Sequence, residues 1–396
     1  MSSYNVPRPI LIILGKAHMM VISRRELFIS SGSVLIGLLA QKILFAQSIA
    51  ATHSLKVNLI KEFCKKQVLD ISPDGLSLCF ENWGDAGYPL EVVEIGTGRM
   101  VYSATFRTRV RHASFFKDSK SLLVDTPIAI KGKNAHHLTV VELYLGKRYE
   151  GLDSASNPYR NDYAEALSDK MLLVTDIDWS SIERSTIALV EFPNYREAKR
   201  ASFVLKSDKQ ELSTPGNSRF GLSDDRGIFV YSYGRKLVCR RNNDLEVLWT
   251  REPEPMLRAF NIISPNRNYV AVAFADNAFR EQQKDSLISI YNGMTGADIA
   301  RLPICGTDGF ALSPDGSLLA AVEVVNYRKK KMYFTNIHIY DVKSGNILAS
   351  FEHDRIKWQH AGTIKAACLV YFTADGQYLI SSGMNTKVWK LGINED

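Results

Sequence analysis

Residues 310–351 read Phe310-Ala311-Leu312-Ser313-Pro314-Asp315-Gly316, Ser317-Leu318-Leu319-Ala320-Ala321-Val322, a charged stretch, then Asn336-Ile337-His338-Ile339-Tyr340-Asp341-Val342-Lys343-Ser344-Gly345 and Asn346-Ile347-Leu348-Ala349-Ser350-Phe351. Apolar residues alternate or run on for five or six positions, then stop at turn residues, which spells four short strands. In the first turn Pro314 fixes φ and Gly316 accepts φ > 0; Lys343-Ser344-Gly345 plays the same part in the last. A lone four-stranded sheet has two open edges and cannot bury both faces, so this unit requires copies of itself.

Six further copies are present. Aligned on the first-turn residue, they begin at Ser72, Phe116, Ser168, Ser223, Ser264 and Thr373, with Ser313 in the segment quoted. Their partners at the position of Tyr340 are Val93, Val141, Val190, Cys239, Tyr291 and Trp389. A repeat of this length, carried by strands alone, is that of propeller blades. The expected fold is all-β: a seven-bladed propeller of four-stranded antiparallel blades.

On the Ser-Pro-Asp-Gly turns and the Tyr340-Asp341 and Trp389-Lys390 dipeptides, residues 55–394 resemble a WD40-type β-propeller, with those dipeptides where the family places Trp-Asp. No unit has Trp followed by Asp. No Gly-His pair precedes a first inner strand, so the side-chain network that the family builds from that His is not expected here.

The last unit ends soon after Trp389 with no room for a fourth strand, while Ser54-Leu55-Lys56-Val57-Asn58-Leu59-Ile60-Lys61-Glu62-Phe63 alternates like a strand ahead of the first unit. Pairing of the two closes the ring and removes its edges.

The first fifty residues stand apart. Ser23-Arg24-Arg25-Glu26-Leu27-Phe28 opens a moderately apolar stretch to Ala40, followed by Lys42 and small residues near Ser48 and Ala50. This resembles a twin-arginine export signal, with Arg24 and Arg25 as its pair, cleaved near residue 50. Residues 1–18 then read as an extension ahead of Met19 and Met20, and residues 51–396 as the propeller. The alternative is a membrane anchor, but the core is shorter than the roughly 20 apolar residues of a span. The resemblance implies a periplasmic or secreted protein.

The whole chain carries 49 basic and 42 acidic residues, a formal charge of +7. Residues 1–50 hold Arg8, Lys16, Arg24, Arg25, Lys42 and Glu26, so the remainder carries +3 (7 − 5 + 1). That leaves no broad basic surface for nucleic acid. The five cysteines, Cys64, Cys79, Cys239, Cys305 and Cys368, form no Cys-x-x-Cys pair; Cys79, Cys239 and Cys368 lie in apolar strand patterns and read as buried small hydrophobes.

First turns are short, but second loops are long at 81–89, 128–137, 176–185, 275–286 and 325–335. Second loops and blade connections share one face, and long loops on a rigid scaffold carry function. That face holds Trp83, Tyr88, His136, His137, Trp179, Phe279, Arg280, Tyr327 and Arg328, with Trp358 and His360 in the last connection. Aromatic and Arg side chains dominate interface energetics. The run Arg328-Lys329-Lys330-Lys331 is either a solvated hairpin tip or a dock for an acidic partner or anionic lipid.

These residues point to a monomeric, non-catalytic binding scaffold for an envelope protein or peptide, with no metal or cofactor and with membrane contact only through an uncleaved signal. The alternatives are a propeller enzyme or redox subunit with its site at the axial channel, and a glycan-binding propeller using Trp83, Tyr88 or Trp179 as stacking platforms.

Overall fold

In the computed structural model the chain divides into Met1–His53 and Ser54–Asp396. The structure describes residues 10–14, 18–22, 55–82, 87–130, 133–153, 163–168, 171–177, 185–191, 196–203, 220–223, 225–233, 236–252, 262–265, 268–274, 287–304, 307–327, 332–357 and 369–393. The first unit shows one antiparallel hairpin, β1 (Ile10–Leu14) with β2 (His18–Ile22). Arg24 and Arg25 lie outside the described residues.

The second unit is a seven-bladed β-propeller, each blade a four-stranded antiparallel meander, with no helix among the described residues. After β3 (Leu55–Phe63), blade 1 is β4 (Lys66–Ile71), β5 (Ser77–Asn82), β6 (Pro89–Glu94) and β7 (Met100–Thr105). Blade 2 is β8 (His112–Phe115), β9 (Ser121–Ile130), β10 (Lys133–Glu142) and β11 (Lys147–Asp153). Blade 3 is β12 (Tyr163–Ala166), β13 (Met171–Ile177), β14 (Ser185–Glu191) and β15 (Arg196–Phe203). Blade 4 is β16 (Phe220–Leu222), β17 (Ile228–Tyr233), β18 (Lys236–Arg241) and β19 (Val247–Arg251). Blade 5 is β20 (Ile262–Pro265), β21 (Tyr269–Phe274), β22 (Leu287–Asn292) and β23 (Asp298–Pro303). Blade 6 is β24 (Thr307–Leu312), β25 (Leu318–Tyr327), β26 (Met332–Asp341) and β27 (Ile347–Lys357). Blade 7 is β28 (Leu369–Phe372), β29 (Tyr378–Ser382), β30 (Thr386–Ile393) and, as its fourth strand, β3.

The core is seven cores, one in each seam between adjacent blades. In blade 2, Leu122 and Val124 face blade 1, whereas Leu123 faces blade 3. In blade 6, Leu319 and Ala321 pack toward blade 5 and Ala320 and Val322 toward blade 7. Successive strand residues point to opposite faces and both faces are covered, which is why the middle strands read as unbroken apolar runs.

The first turns owe their shape to a hydroxyl and a carboxylate as much as to Pro and Gly. Ser313 Oγ donates to Asp315 Oδ1 at 2.6 Å and accepts the Leu318 N–H at 2.9 Å. The same exchange links Ser72 with Asp74, Ser223 with Asp225 and Thr373 with Asp375. Three residues after the first-turn residue the backbone turns left-handed, at Gly75, Gly316 and Gly376, but also at Ser119 (φ 57°) and Arg226 (φ 58°). At Gly316 a Cβ would stand 2.3 Å from the ring of Tyr269 in the neighbouring blade, so no other residue fits there.

Ring closure is as expected. β3 pairs antiparallel with β30 from Leu55↔Ile393 to Phe63↔Thr386, with a bulge between Leu59 and Lys61. Leu55 and Val57 pack into the seam between blades 6 and 7, and Phe63 into that between blades 7 and 1. Polar bonds stitch the joint: Ser382 Oγ accepts the Val68 N–H at 2.8 Å, Thr386 Oγ1 donates to Lys66 O at 2.7 Å, and Asn385 reaches both Lys65 N–H and Glu62.

Two of the expected long loops are instead projecting hairpins. β9 and β10 stay paired out to Ile130↔Lys133, and β25 and β26 out to Tyr327↔Met332, so 128–130, 133–137, 325–327 and 332–335 are strand. Val324, Val325, Tyr333, Phe334 and Thr335 are strand-favouring residues, which explains the extension in blade 6.

Candidate partner-binding face

The first and third turns of the blades lie at one end of the disc. At the other end the second and third strands of each blade part, and each fourth strand leaves for the next blade. Of the residues expected to form the binding face, Trp83, Trp179, Phe279, Arg280, Arg328, Trp358 and His360 lie outside the described residues. His136 sits in β10 opposite Pro127 and Tyr327 in β25 opposite Met332. His137, half-buried, sits opposite Thr126, whose hydroxyl meets the His137 carbonyl at 3.4 Å.

Tyr88 is 42% exposed at the point where the link 83–88 gives way to β6. Its carbonyl accepts the N–H of Phe106, the first residue of the connection to blade 2, at 3.3 Å. That connection reads Phe106-Arg107-Thr108-Arg109-Val110-Arg111, and exposure alternates along it: Arg107, Arg109 and Arg111 face solvent, while Val110 is buried in the seam between blades 1 and 2. The Arg111 N–H donates to the Asp125 carbonyl at 2.9 Å. Behind the strip, the buried Glu81 carboxylate takes the Arg109 fork, from Nε at 3.1 Å and from Nη2 at 3.1 Å. A buried carboxylate is tolerable only when held in this way, and the fork fixes Arg109 in return. Beside it, Lys66 and Asn82 both hold Glu91.

The three arginines were not among the expected face residues. Their signal, Arg at alternate positions of a connection, is present in the sequence; the connection is short, and attention to long loops passes over it.

The axial opening is bridged at the short-turn end. Arg226, in the first turn of blade 4, donates from Nη2 to Asp70 Oδ2 of blade 1 at 3.0 Å and to the Phe115 carbonyl of blade 2 at 3.1 Å. Asp70 Oδ2 also accepts the Phe115 N–H at 2.7 Å. Blade 4 stands three blades from blade 1, so this contact crosses the axis and is not part of a seam.

A chain of side-chain contacts centred on His353 runs through blade 7. Trp389 Nε1–H donates to Ser381 Oγ at 2.7 Å, and Ser381 meets His353 Nδ1 at 2.9 Å. The other ring nitrogen, Nε2, faces Asp354 Oδ2 at 3.2 Å. The His comes from the end of β27, within Glu352-His353 and not a Gly-His pair, which is why the sequence pattern missed it.

Burial works to raise the Asp354 pKa, but the His353 ring and the Lys387 ammonium outweigh it and hold the carboxyl below its ordinary value. A depressed folded value means a stabilising contribution that is complete above the unfolded Asp value of about 3.9 and is lost as pH falls through the folded value. The melting temperature of Asp354→Asn should therefore lie below that of the wild type at neutral pH and converge on it below about pH 4. Melts across that range check this; a constant gap would show that Asp354 carries no such linkage.

His338 meets Ser350 Oγ at 2.8 Å through Nδ1 and Glu323 Oε2 at 3.2 Å through Nε2, a cross-strand trio on one face of blade 6. Cys79 and Cys239 are buried; burial pushes the Cys79 thiol well up and that of Cys239 to about 12, so neither supplies a thiolate at neutral pH. Cys64 is exposed, and Cys305 and Cys368 lie outside the described residues. Among the described residues no group of three or more His, Cys, Asp or Glu is placed to hold a metal ion, and no helix is long and apolar enough to cross a membrane. The short-turn end presents Leu76, Tyr144 and Leu145, all more than half exposed.

No family model and no curated protein matches the chain. Among solved structures it is similar to the β-propeller domain of Cps50 (Swd1) from Myceliophteria thermophila, with a TM-score of 0.53 over 86% of this chain and 100% of that one, at 11% identity. That likeness establishes the propeller fold and nothing finer.

Proposed function

We propose that this chain is an exported, WD40-like propeller that binds an envelope protein or peptide through its long-loop face and performs no catalysis. The carrying observation is the Tyr88–Arg107–Arg109–Arg111 strip: exposed Tyr and Arg side chains, the types that dominate interface energetics, set on a backbone anchored by Val110 and by the Glu81–Arg109 fork. Rigid presentation lowers the ordering cost of association. The expected WD40-type pattern and the fold shared with a solved propeller domain agree with a scaffold; the Arg24-Arg25 motif and the apolar stretch after it support export to the periplasm or beyond.

Affinity capture from the envelope of the protein's own cells tests the reading. A Tyr88→Ala, Arg107→Glu double variant should recover its principal partner about tenfold less well than wild type, the loss expected for one interface hot spot. It should melt as wild type does, and Leu145→Ser, on the opposite face, should capture normally. Undiminished capture by the double variant would place the site elsewhere.

A further inference from the structure

We propose that the short-turn end of blades 1 and 2 docks on an anionic lipid surface. Leu76 is 64% exposed in the first turn of blade 1, and Tyr144 and Leu145 are 62% and 76% exposed in the third turn of blade 2. Backbone bonds join these turns into one surface. The Ile95 N–H donates to the Leu76 carbonyl at 2.9 Å, the Asp74 N–H to Ser119 Oγ at 3.1 Å across the seam, and the Leu143 N–H to the Lys120 carbonyl at 2.9 Å. The blade 2 tip projects: at Gly146, beside Leu145, a Cβ would meet nothing within 4 Å. A leucine on a convex tip leaves water by sinking into the boundary between headgroups and acyl chains, which needs no shaped cavity in a partner. Tyrosine suits the same depth, with its ring in the apolar layer and its hydroxyl among headgroups.

Charge selects the lipid. Lys117 and Lys120 are exposed in the first turn of blade 2, and their ammonium groups enter no ion pair among the described residues. The acids nearby are engaged. Asp118 accepts the N–H of Lys120 at 2.9 Å and that of Ser121 at 3.1 Å, Asp74 accepts the Ser72 hydroxyl at 2.6 Å and the Leu76 N–H at 3.0 Å, and Glu94 is paired with Arg99. Two open ammonium groups beside exposed apolar side chains suit the phosphates of anionic headgroups. The path of the chain agrees. β3 starts at this end, where Leu55 pairs with Ile393 in blade 7, the neighbour of blade 1. The apolar stretch 27–40 lies upstream in the sequence, so a chain still joined to it is tethered to a bilayer by the short-turn end, with the long-loop face left open. This inference goes beyond the scaffold reading and does not depend on which partner the long-loop face takes.

Flotation with vesicles of phosphatidylcholine, alone or with about 30% phosphatidylglycerol, tests it on the protein purified from its own cell envelope. Wild type should bind the anionic vesicles about tenfold more tightly than the neutral ones, and less so as salt is added. A Leu76→Ser, Leu145→Ser double variant should bind anionic vesicles about tenfold more weakly. A Lys117→Ala, Lys120→Ala double variant should lose about tenfold on anionic vesicles and almost nothing on neutral ones. Both should melt as wild type does, and the Tyr88→Ala, Arg107→Glu variant should bind vesicles as wild type does. An apolar segment left on the chain adds binding to every variant alike, so the ratios carry the result. Equal binding to the two kinds of vesicle, indifference to either short-turn double variant, or loss in the Tyr88→Ala, Arg107→Glu variant would overturn the inference. So would capture of an acidic envelope protein that requires Lys117 and Lys120 while vesicles go unbound. Failure on vesicles with envelope capture still dependent on Tyr88 and Arg107 leaves the scaffold reading standing.

Discussion

A chain that begins at residue 65 will lose the cooperative melt of the intact ring. Without β3, blade 7 ends at β30, whose outer edge is left unpaired from Thr386 to Ile393. Leu55, Val57 and Phe63 vanish from two seams at once. Three partly buried apolar side chains at about 1–2 kcal/mol each, with a strand's worth of hydrogen bonds at about 1 kcal/mol net each, approach the whole 5–15 kcal/mol that stabilises a typical domain. Thermal melts by circular dichroism should show a broad, low transition and dye-accessible apolar surface, while a chain that begins at Ser54 melts as the intact one does. A synthetic peptide of residues 54–64 should restore the transition in trans, which general damage to the chain would not allow. A sharp transition at the wild-type temperature in the chain from residue 65 would mean that β3 does not close the ring.

The second large effect is expected at the axis. Arg226→Ala removes a side chain that joins blade 4 to Asp70 of blade 1 and to the Phe115 carbonyl of blade 2. Breaking a buried ion pair by removal of one partner costs about 3–5 kcal/mol, and the lower end applies because Asp70 keeps some exposure to water. Asp70→Ala should cost at least as much, since it also deprives the Phe115 N–H of its acceptor. The double variant should be less destabilised than the sum of the two, with a coupling of about 1–3 kcal/mol. Denaturant unfolding of the four proteins measures this; strict additivity would show that the two side chains do not act as a pair. Arg226→Gly is informative beside Arg226→Ala, because glycine accepts the left-handed φ that arginine adopts there at some cost.

Blade number, strand order and closure were legible because the constraints behind them are local. The Ser72, Ser313 and Thr373 turns each carry a hydroxyl, a carboxylate two residues on and a glycine after it, and those three groups make the turn without help from the rest of the fold. The alternation of residues 55–63 likewise marks a strand whatever it pairs with. Features that depend on distant partners were hidden. Arg226 stands where three of its counterparts are glycines, Gly75, Gly316 and Gly376, and only the ring brings Asp70 within its reach. His353 joins Trp389 and Ser381 because β27 continues past the point where its blade would be expected to end. The hairpins at 128–137 and 325–335 were hidden because polar and charged residues in them, such as His136, His137 and Asn326, read as loop although the ladder continues through them. On the binding face, aromatic residues in long links drew notice, while the Arg107–Arg111 strip depends on Val110 anchoring a short one.

The most direct test of the long-loop face as the binding surface is site-specific photo-crosslinking in the living cell, with a photoreactive phenylalanine analogue in place of Tyr88 or of Leu145. The scaffold reading predicts one discrete crosslinked envelope protein from position 88, lost when Arg107 and Arg111 are both replaced by Glu, and none from position 145. A discrete product from position 145 with none from position 88 would contradict it and move the binding surface to the short-turn end of the disc.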